Sequence, residues 1–243
     1  MAEQSTKNQT NNKETPILYI EARKNIKNID LSQLKKITDK KPKTISLAST
    51  IQYINYIPII KKHLEQHNIN VKIKQGSGYK AHVLGCQPYA FDKDADILLL
   101  LADGKFHAIN NASILENEIY VFNPSQAEKL EKINHKDIEK IKAIKKTTLK
   151  KFFSSDNIGI IISQKPGQKI SEKQLKDIKT KIKKLNKNIY IFYTNNINIS
   201  ELDNFPFIKS WINTACPGIF FDDKNKKIIN YSDLSPYLSK KSQ

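Results

Sequence analysis

The sequence predicts an α/β protein: two small units in succession, each built on a parallel sheet. Three observations carry this. Short apolar runs recur along the chain, stretches of helical period separate them, and the rhythm restarts near Ile158 after a charged segment. The runs are apolar throughout rather than alternating, as expected of strands covered on both faces by helices.

Residues 1–15 have no hydrophobic periodicity and are expected to form a disordered tail. Pro16–Ala22 reads as a buried strand, Leu31–Thr38 as a weak helix, and Lys40-Lys41-Pro42-Lys43 as a boundary, which leaves 16–42 as a separate piece. The unit over 43–124 has strands at Thr44–Ser49, Ile69–Ile73, Ala95–Leu101 and Ile119–Phe122. Between the first two lies a helix, Ile54–His67, with Ile57, Ile60 and Leu64 on one face. Gly76-Ser77-Gly78 makes a loop. Residues 125–156 are charged, with Leu130, Ile133, Ile138, Ile141 and Ile144 at helical spacing, and are expected to be a connecting helical segment. The unit over 157–243 opens with a strand at Ile158–Ile162. A helix follows from Ser171, a good N-cap, to Leu185, with Leu175, Ile178 and Ile182 inward. Then come a strand at Ile189–Tyr193, a short helix at Ile199–Leu202, a run at Ser210–Asn213 and a strand-like run at Gly218–Phe221. The units share one plan (strand, helix, strand, linker, strand), a loose repeat of two Rossmann-like units.

The chain of 243 residues carries 41 Lys and Arg against 24 Asp and Glu, a net charge of +17. Clustered cations would steer polyanions. Here the Lys residues are scattered among Asn and Ile, as A/T-rich codons would produce, and Arg23 is the only arginine. No direct nucleic-acid partner is therefore expected, although a basic RNA- or ribosome-binding module is an alternative. No apolar run approaches the length of a membrane span, and the polar N-terminus has no apolar core of a signal peptide. A cytoplasmic location with reduced thiols follows as an expectation. Cys86 and Cys216 then read as inert core thiols, a nucleophile or metal ligands.

Three segments hold the candidate chemistry: His82-Val83-Leu84-Gly85-Cys86-Gln87-Pro88, Asn213-Thr214-Ala215-Cys216-Pro217, and Ala102-Asp103-Gly104-Lys105-Phe106-His107. One cysteine falls in each unit, just past an apolar run, where open parallel sheets collect ligands at the carboxyl ends of their strands. The third segment follows a very apolar strand and offers an acid, a cation and an imidazole; its plainer reading is a turn capped by Asp103. A local zinc site needs closely paired ligands, and none exist. A hydrolase pairing His107 with either cysteine lacks a recognisable local signature. His63, His67 and His135 lie on helical segments and read as solvated.

These segments, together with Ile45–Ile54 and Ala95-Asp96-Ile97, resemble in order and spacing the second and third domains of the archaeal 2-(3-amino-3-carboxypropyl)histidine synthase family, which opens diphthamide biosynthesis. The resemblance runs from about residue 16 to the end. It implies three similar α/β domains, each giving one cysteine to a single 4Fe-4S cluster whose open iron binds S-adenosylmethionine. It also implies a reaction in which a 3-amino-3-carboxypropyl radical adds to a histidine of translation elongation factor 2, and a homodimeric core. Cys86 and Cys216 would be the ligands from the second and third domains. Gly76, Gly78, Asp103, Lys105 and His107 would be substrate or cofactor contacts. The first domain and its cysteine are absent from this sequence, so a separate chain would supply them, with residues 17–21 completing that domain's sheet in a split enzyme. A non-catalytic subunit of the same complex is the alternative. Three positions depart from the family: Gly218 where Arg usually follows Cys-Pro, Tyr53 where His is frequent, and Lys105 for Arg.

Overall fold

The computed structural model describes residues 18, 20–126, 130–223 and 225–239. Two sheets form. The first joins β1 (Thr44–Ser49), β2 (Asn70–Lys72), β3 (Ile97–Leu101), β4 (Ile119–Phe122) and β5 (Leu130–Ile133) in the order β2-β1-β3-β4-β5. The second joins β6 (Asn157–Ser163), β7 (Asn188–Thr194), β8 (Ser210–Asn213) and β9 (Ile228–Asn230) in the order β7-β6-β8-β9. All pairings are parallel except β4 with β5. Set side by side, the first four strands of each sheet follow one order, so the repeat legible in the sequence is a repeat of topology.

The helices fall where their apolar faces require. A short α1 (Lys35–Thr38) precedes β1, and α2 (Ile57–Glu65) buries Ile57, Ile60 and Leu64 on the first sheet. The other face of that sheet is covered by α3 (Lys105–Leu115) through Ala108 and Ala112. A long α4 (His135–Ser154) starts on a capping box between Asn134 and Asp137. It puts Ile138 into the first core and Phe152 into the second. In the second unit α5 (Glu172–Lys183) is capped by Ser171 with Gln174, as its sequence predicts, and buries Ile178 and Ile182. Two further helices, α6 (Ile219–Asp222) and α7 (Tyr231–Ser239), flank β9. Among the described residues no helix is long and apolar enough to cross a membrane.

Four expectations are corrected. Leu130–Ile133 is not helical: it is the antiparallel edge strand β5, where Lys132 pairs with Glu118 at 2.7 Å and only Ile133 is buried. Gly218–Phe221 is not a strand, because Phe220 turns into the core as the helix α6. The last strand is β9, whose start is set by the Asp223 carboxylate accepting from the backbone N–H groups of Lys227 and Ile228. The turn expected after β3 is the start of α3, hidden because its buried face carries Asn110, Asn111 and Ser113 rather than an apolar stripe. Of Pro16–Ala22, the described residues 18 and 20–22 form no strand, and Leu18 and Ile20 are each 84% exposed. The remainder of that segment, and the tail over 1–15, lie outside the described residues.

Gly159 on β6 lies directly beside Trp211 on β8, and a Cβ there would sit 2.3 Å from the Trp211 ring. That ring is fully buried and has nowhere to move. G159A should therefore destabilise the protein by about 1–3 kcal/mol through overpacking, read as a lower urea midpoint; an unchanged midpoint would contradict this packing.

Candidate functional site

In each sheet the chain leaves the central strand in opposite directions, between β1 and β3 in the first and between β6 and β8 in the second. Each sheet thus has a crevice at the carboxyl ends of those strands. Each cysteine loop is built at such an end.

The Cys86 loop is fastened to β1. Residues 81–83 run alongside its end, with Ser49 N donating to Ala81 O at 2.8 Å and Val83 N donating to Ser49 O at 2.9 Å. The turn before them explains two glycines. A Cβ on Gly76 would meet His82 O at 1.9 Å, and Gly78 has φ +83°. Gly76 and Gly78 therefore shape this turn, and neither is among the described residues lining the cavities below. Beyond the turn, α3 holds the loop through two buried amides: Asn110 Nδ2 donates to Gly85 O at 2.6 Å and Asn111 Nδ2 to Leu84 O at 3.1 Å.

The Cys216 loop leaves β8 and is held by the last residues of two strands, Asn213 and Asn230, both buried. Asn213 Nδ2 donates to Cys216 O at 2.9 Å and to Asn230 Oδ1 at 2.8 Å, while its Oδ1 accepts from Ala215 N at 3.0 Å. Asn230 Nδ2 reaches Pro217 O at 3.2 Å. Sequence reasoning does not single out these four asparagines; their signal is a polar amide in a position that the surrounding pattern marks as buried.

The two loops face each other. Cys86 and Cys216 line one cavity of about 220 Å³, with Gly85, Phe106, His107 and Gly218. Cys86 is exposed and Cys216 half-buried. Partial burial pushes the Cys86 thiol up, and the neighbouring Cys216 thiol pushes it the same way. His107, also on the wall, is held below the ordinary histidine range by burial, with Asp103 opposing. Next to this cavity lies a recess of about 300 Å³ at the β1/β3 crevice, lined by Thr50, Gln52, Asp103, Gly104, Lys105, Phe106 and His107. The structure thus brings Cys86, Cys216 and His107 together and sets Asp103 and Lys105 in the adjoining recess. Lys105 is exposed and faces Glu131 at 3.8 Å. His63 and His67 lie elsewhere, stacked on α2 with ring centroids 5.0 Å apart.

Asp103 anchors a polar cluster. Its carboxylate accepts from Lys24 Nζ at 2.6 Å and from the hydroxyl of the fully buried Tyr53, which also contacts Asn123 Oδ1 and Ser125 Oγ, both at 2.9 Å. Lys24 comes from the extended N-terminal segment, whose Lys24 N donates to Gln52 O at 2.9 Å. Burial pushes the Asp103 carboxyl up, but the bonds from Lys24 and Tyr53 outweigh it and hold the group below the usual carboxylate range. The same contact with Asp103 pushes Lys24 up to about 12.

The donor set fits a soft metal or cluster only in part. Two thiols on one wall suit thiolate-seeking iron. Among the described residues no group of three Cys, His, Asp or Glu could close a metal site. This chain therefore offers two of the ligands and not a complete set.

Fold and site together define an α/β protein whose two like sheets each present one thiol to a shared cavity. The chain belongs to the family described as "Putative diphthamide synthesis protein", which matches residues 4–240. Among curated relatives it is 23% identical to the 2-(3-amino-3-carboxypropyl)histidine synthase of Pyrococcus horikoshii, over 86% of this chain and 61% of that protein. It is 29% identical to the synthase of Methanocaldococcus jannaschii, over 74% of this chain and 47% of that one. It is 28% identical to subunit 1 of the Schizosaccharomyces pombe synthase, over 73% and 42%. The chain thus spans less than two thirds of these relatives. The fold matches the crystal structure of Dph2 from Pyrococcus horikoshii with TM-score 0.74 at 21% identity, covering 88% of this chain and 64% of that one. It also matches the structure of that protein with a 4Fe-4S cluster, with TM-score 0.71, covering 87% and 62%.

The electrostatics of the site lead to two expected outcomes. Replacing Cys216 by serine removes one cause that raises Cys86, so the pH midpoint for Cys86 alkylation by iodoacetamide should fall yet stay above that of a free thiol, because burial persists; no change would place the thiols out of reach of each other. For Asp103, a depressed folded pKa means stability that is present above its unfolded value and lost as pH falls through the folded one. The pair is half exposed, so it is worth at most about 1 kcal/mol. K24M should move the Asp103 carboxyl titration up, seen by carbon NMR; an unmoved titration would show that the contact does not form in solution.

Proposed function

We propose that this chain is the second- and third-domain part of a 2-(3-amino-3-carboxypropyl)histidine synthase, acting in the first step of diphthamide biosynthesis. The observation that carries this reading is the meeting of Cys86 and Cys216, one from each sheet, on one cavity wall. Both thiolates would ligate a 4Fe-4S cluster. The third ligand would come from a separate chain carrying the first domain. Leu18 and Ile20, exposed apolar residues at the start of the described chain, support such a docking, since a neighbouring sheet would cover them.

A cluster bound there would supply the electron that cleaves S-adenosylmethionine to release the 3-amino-3-carboxypropyl group for a histidine of elongation factor 2. The chain's own residues would do the rest. The recess at the β1/β3 crevice would receive S-adenosylmethionine beside the cysteines. Lys105 would face its carboxylate, and Asp103, held anionic by Lys24 and Tyr53, would face its ammonium. His107, kept neutral by burial, would contact the substrate without adding charge between the thiolates and the reacting group.

The test is anaerobic reconstitution of this chain alone and with the candidate first-domain chain. The expected result is about four irons and a broad visible thiolate-to-iron absorbance only when both chains are present, abolished by C86A or C216A. A variant that keeps full iron content removes its cysteine from the ligand set. No iron in any sample would leave this chain as a non-catalytic subunit.

A further inference from the structure

Phe106 is an apolar side chain with half of its surface open, 53% exposed, at the second position of α3. Its surroundings explain why an exposed aromatic stands there. One edge of the ring faces the Cys86 loop: Cε1 lies 3.8 Å from where a Cβ on Gly85 would be. The opposite side faces the Cys216 loop: Cζ and Cε2 lie 2.3 and 2.7 Å from where a Cβ on Gly218 would be, and Cys216 Sγ lies 3.5 Å from that same point. The ring is steadied edge-on by the His107 ring, with centroids 5.2 Å apart and planes at 84°. A single side chain from the first unit therefore touches both cysteine loops, and it occupies the space that any side chain at 218 would need.

We propose that Phe106 is a positioning residue, a rigid spacer that fixes how far apart Cys86 and Cys216 stand and how they face each other. Three features support the role. The ring is planar and stiff, so it sets a separation that a flexible aliphatic chain would not. It projects from the first turn of a helix that also holds the Cys86 loop through Asn110 and Asn111, so ring and loop share one frame. Its partner across the cavity is glycine, so the ring lies against the backbone of the Cys216 loop and transmits position directly. Gly85 differs: a methyl there would make only ordinary contacts, which assigns the tight side of the spacer to Gly218. The spacing of the two thiols stands on these contacts alone; its relevance to a cluster rests on the function proposed above.

The experiment bridges the thiols of the full chain with bis-maleimides of graded length and identifies the bridged product by mass spectrometry. The parent should bridge with a defined shortest linker. F106A should change that shortest linker, or lower the bridged yield several-fold, while single-thiol alkylation rates and the melting temperature stay put; F106Y should restore the parental result. G218A, which displaces the ring, should act like F106A in the parent and add nothing in the F106A background, because the two changes remove one contact. Three results would overturn the spacer: no bridging at any length in the parent, F106A bridging as the parent does, or a G218A effect that persists in full without the ring. Iron content of the reconstituted two-chain sample separates the two readings. Bridging that depends on Phe106 with no iron bound would keep the spacer and remove the cluster, whereas iron bound equally by parent and F106A, with unchanged bridging, would keep the cluster and remove the spacer.

Discussion

The packing of α4 against both cores is the constraint on which the rest depends. Twenty residues of helix span about 30 Å. Ile138 near one end is buried under the first sheet and Phe152 near the other under the second. Between these anchors Lys145 meets Asp233 of α7 at 2.9 Å. A helix of fixed length seated at both ends leaves the two sheets little freedom to slide. The carboxyl ends of β1 and β8 must face one another for two short loops to share a cavity of about 220 Å³. If either seat failed, the thiols would part by more than any loop adjustment could recover.

At the loops themselves the structure relies on amides rather than apolar burial. A cysteine that must stay reachable cannot be fixed by packing it away, so its neighbours' backbone carbonyls are gripped instead. Asn110 and Asn111 hold the carbonyls just before Cys86, and Asn213 and Asn230 hold those of Cys216 and Pro217. Each grip satisfies a polar group that would otherwise cost about 1–3 kcal/mol to bury. One acceptor, Asn111 Oδ1, has no protein partner in the structure.

How much of this is legible in the sequence follows from what fixes each element. The strands Ile97–Leu101 and Ile158–Ile162 declare themselves because burial on both faces leaves no polar position to confuse the reading. α5 is legible from Ser171 and its inward Leu175, Ile178 and Ile182. α3 and β9 are not, because their buried positions are partly asparagine, and asparagine reads as loop until the carbonyl it serves is known. β5 misleads because Leu130 and Ile133 are three apart, a helical spacing that an edge strand with one buried residue satisfies by accident. Both cysteines and His107 can be marked from sequence as chemistry-bearing. Their approach across two units can be expected only through the family resemblance, since no spacing rule joins positions so far apart. The role of Phe106 has no sequence signal, because one exposed aromatic looks like any other until Gly218 is seen beneath it.

The electrostatics show why the pair of thiols is poised for a cation rather than for nucleophilic work. A nucleophilic cysteine is made by lowering its pKa, through a nearby cation, a protonated histidine or a helix N-terminus. Cys86 has the opposite setting: burial and a second thiol both raise it. The imidazole on the wall offers no help as a cation, since burial holds His107 neutral. Two thiols that resist ionising together gain most when a positive centre binds between them, because metal ligation deprotonates a thiol outright and turns their mutual repulsion into shared attraction. The same local chemistry that argues against a hydrolase therefore argues for a ligand pair, and it does so without reference to any relative.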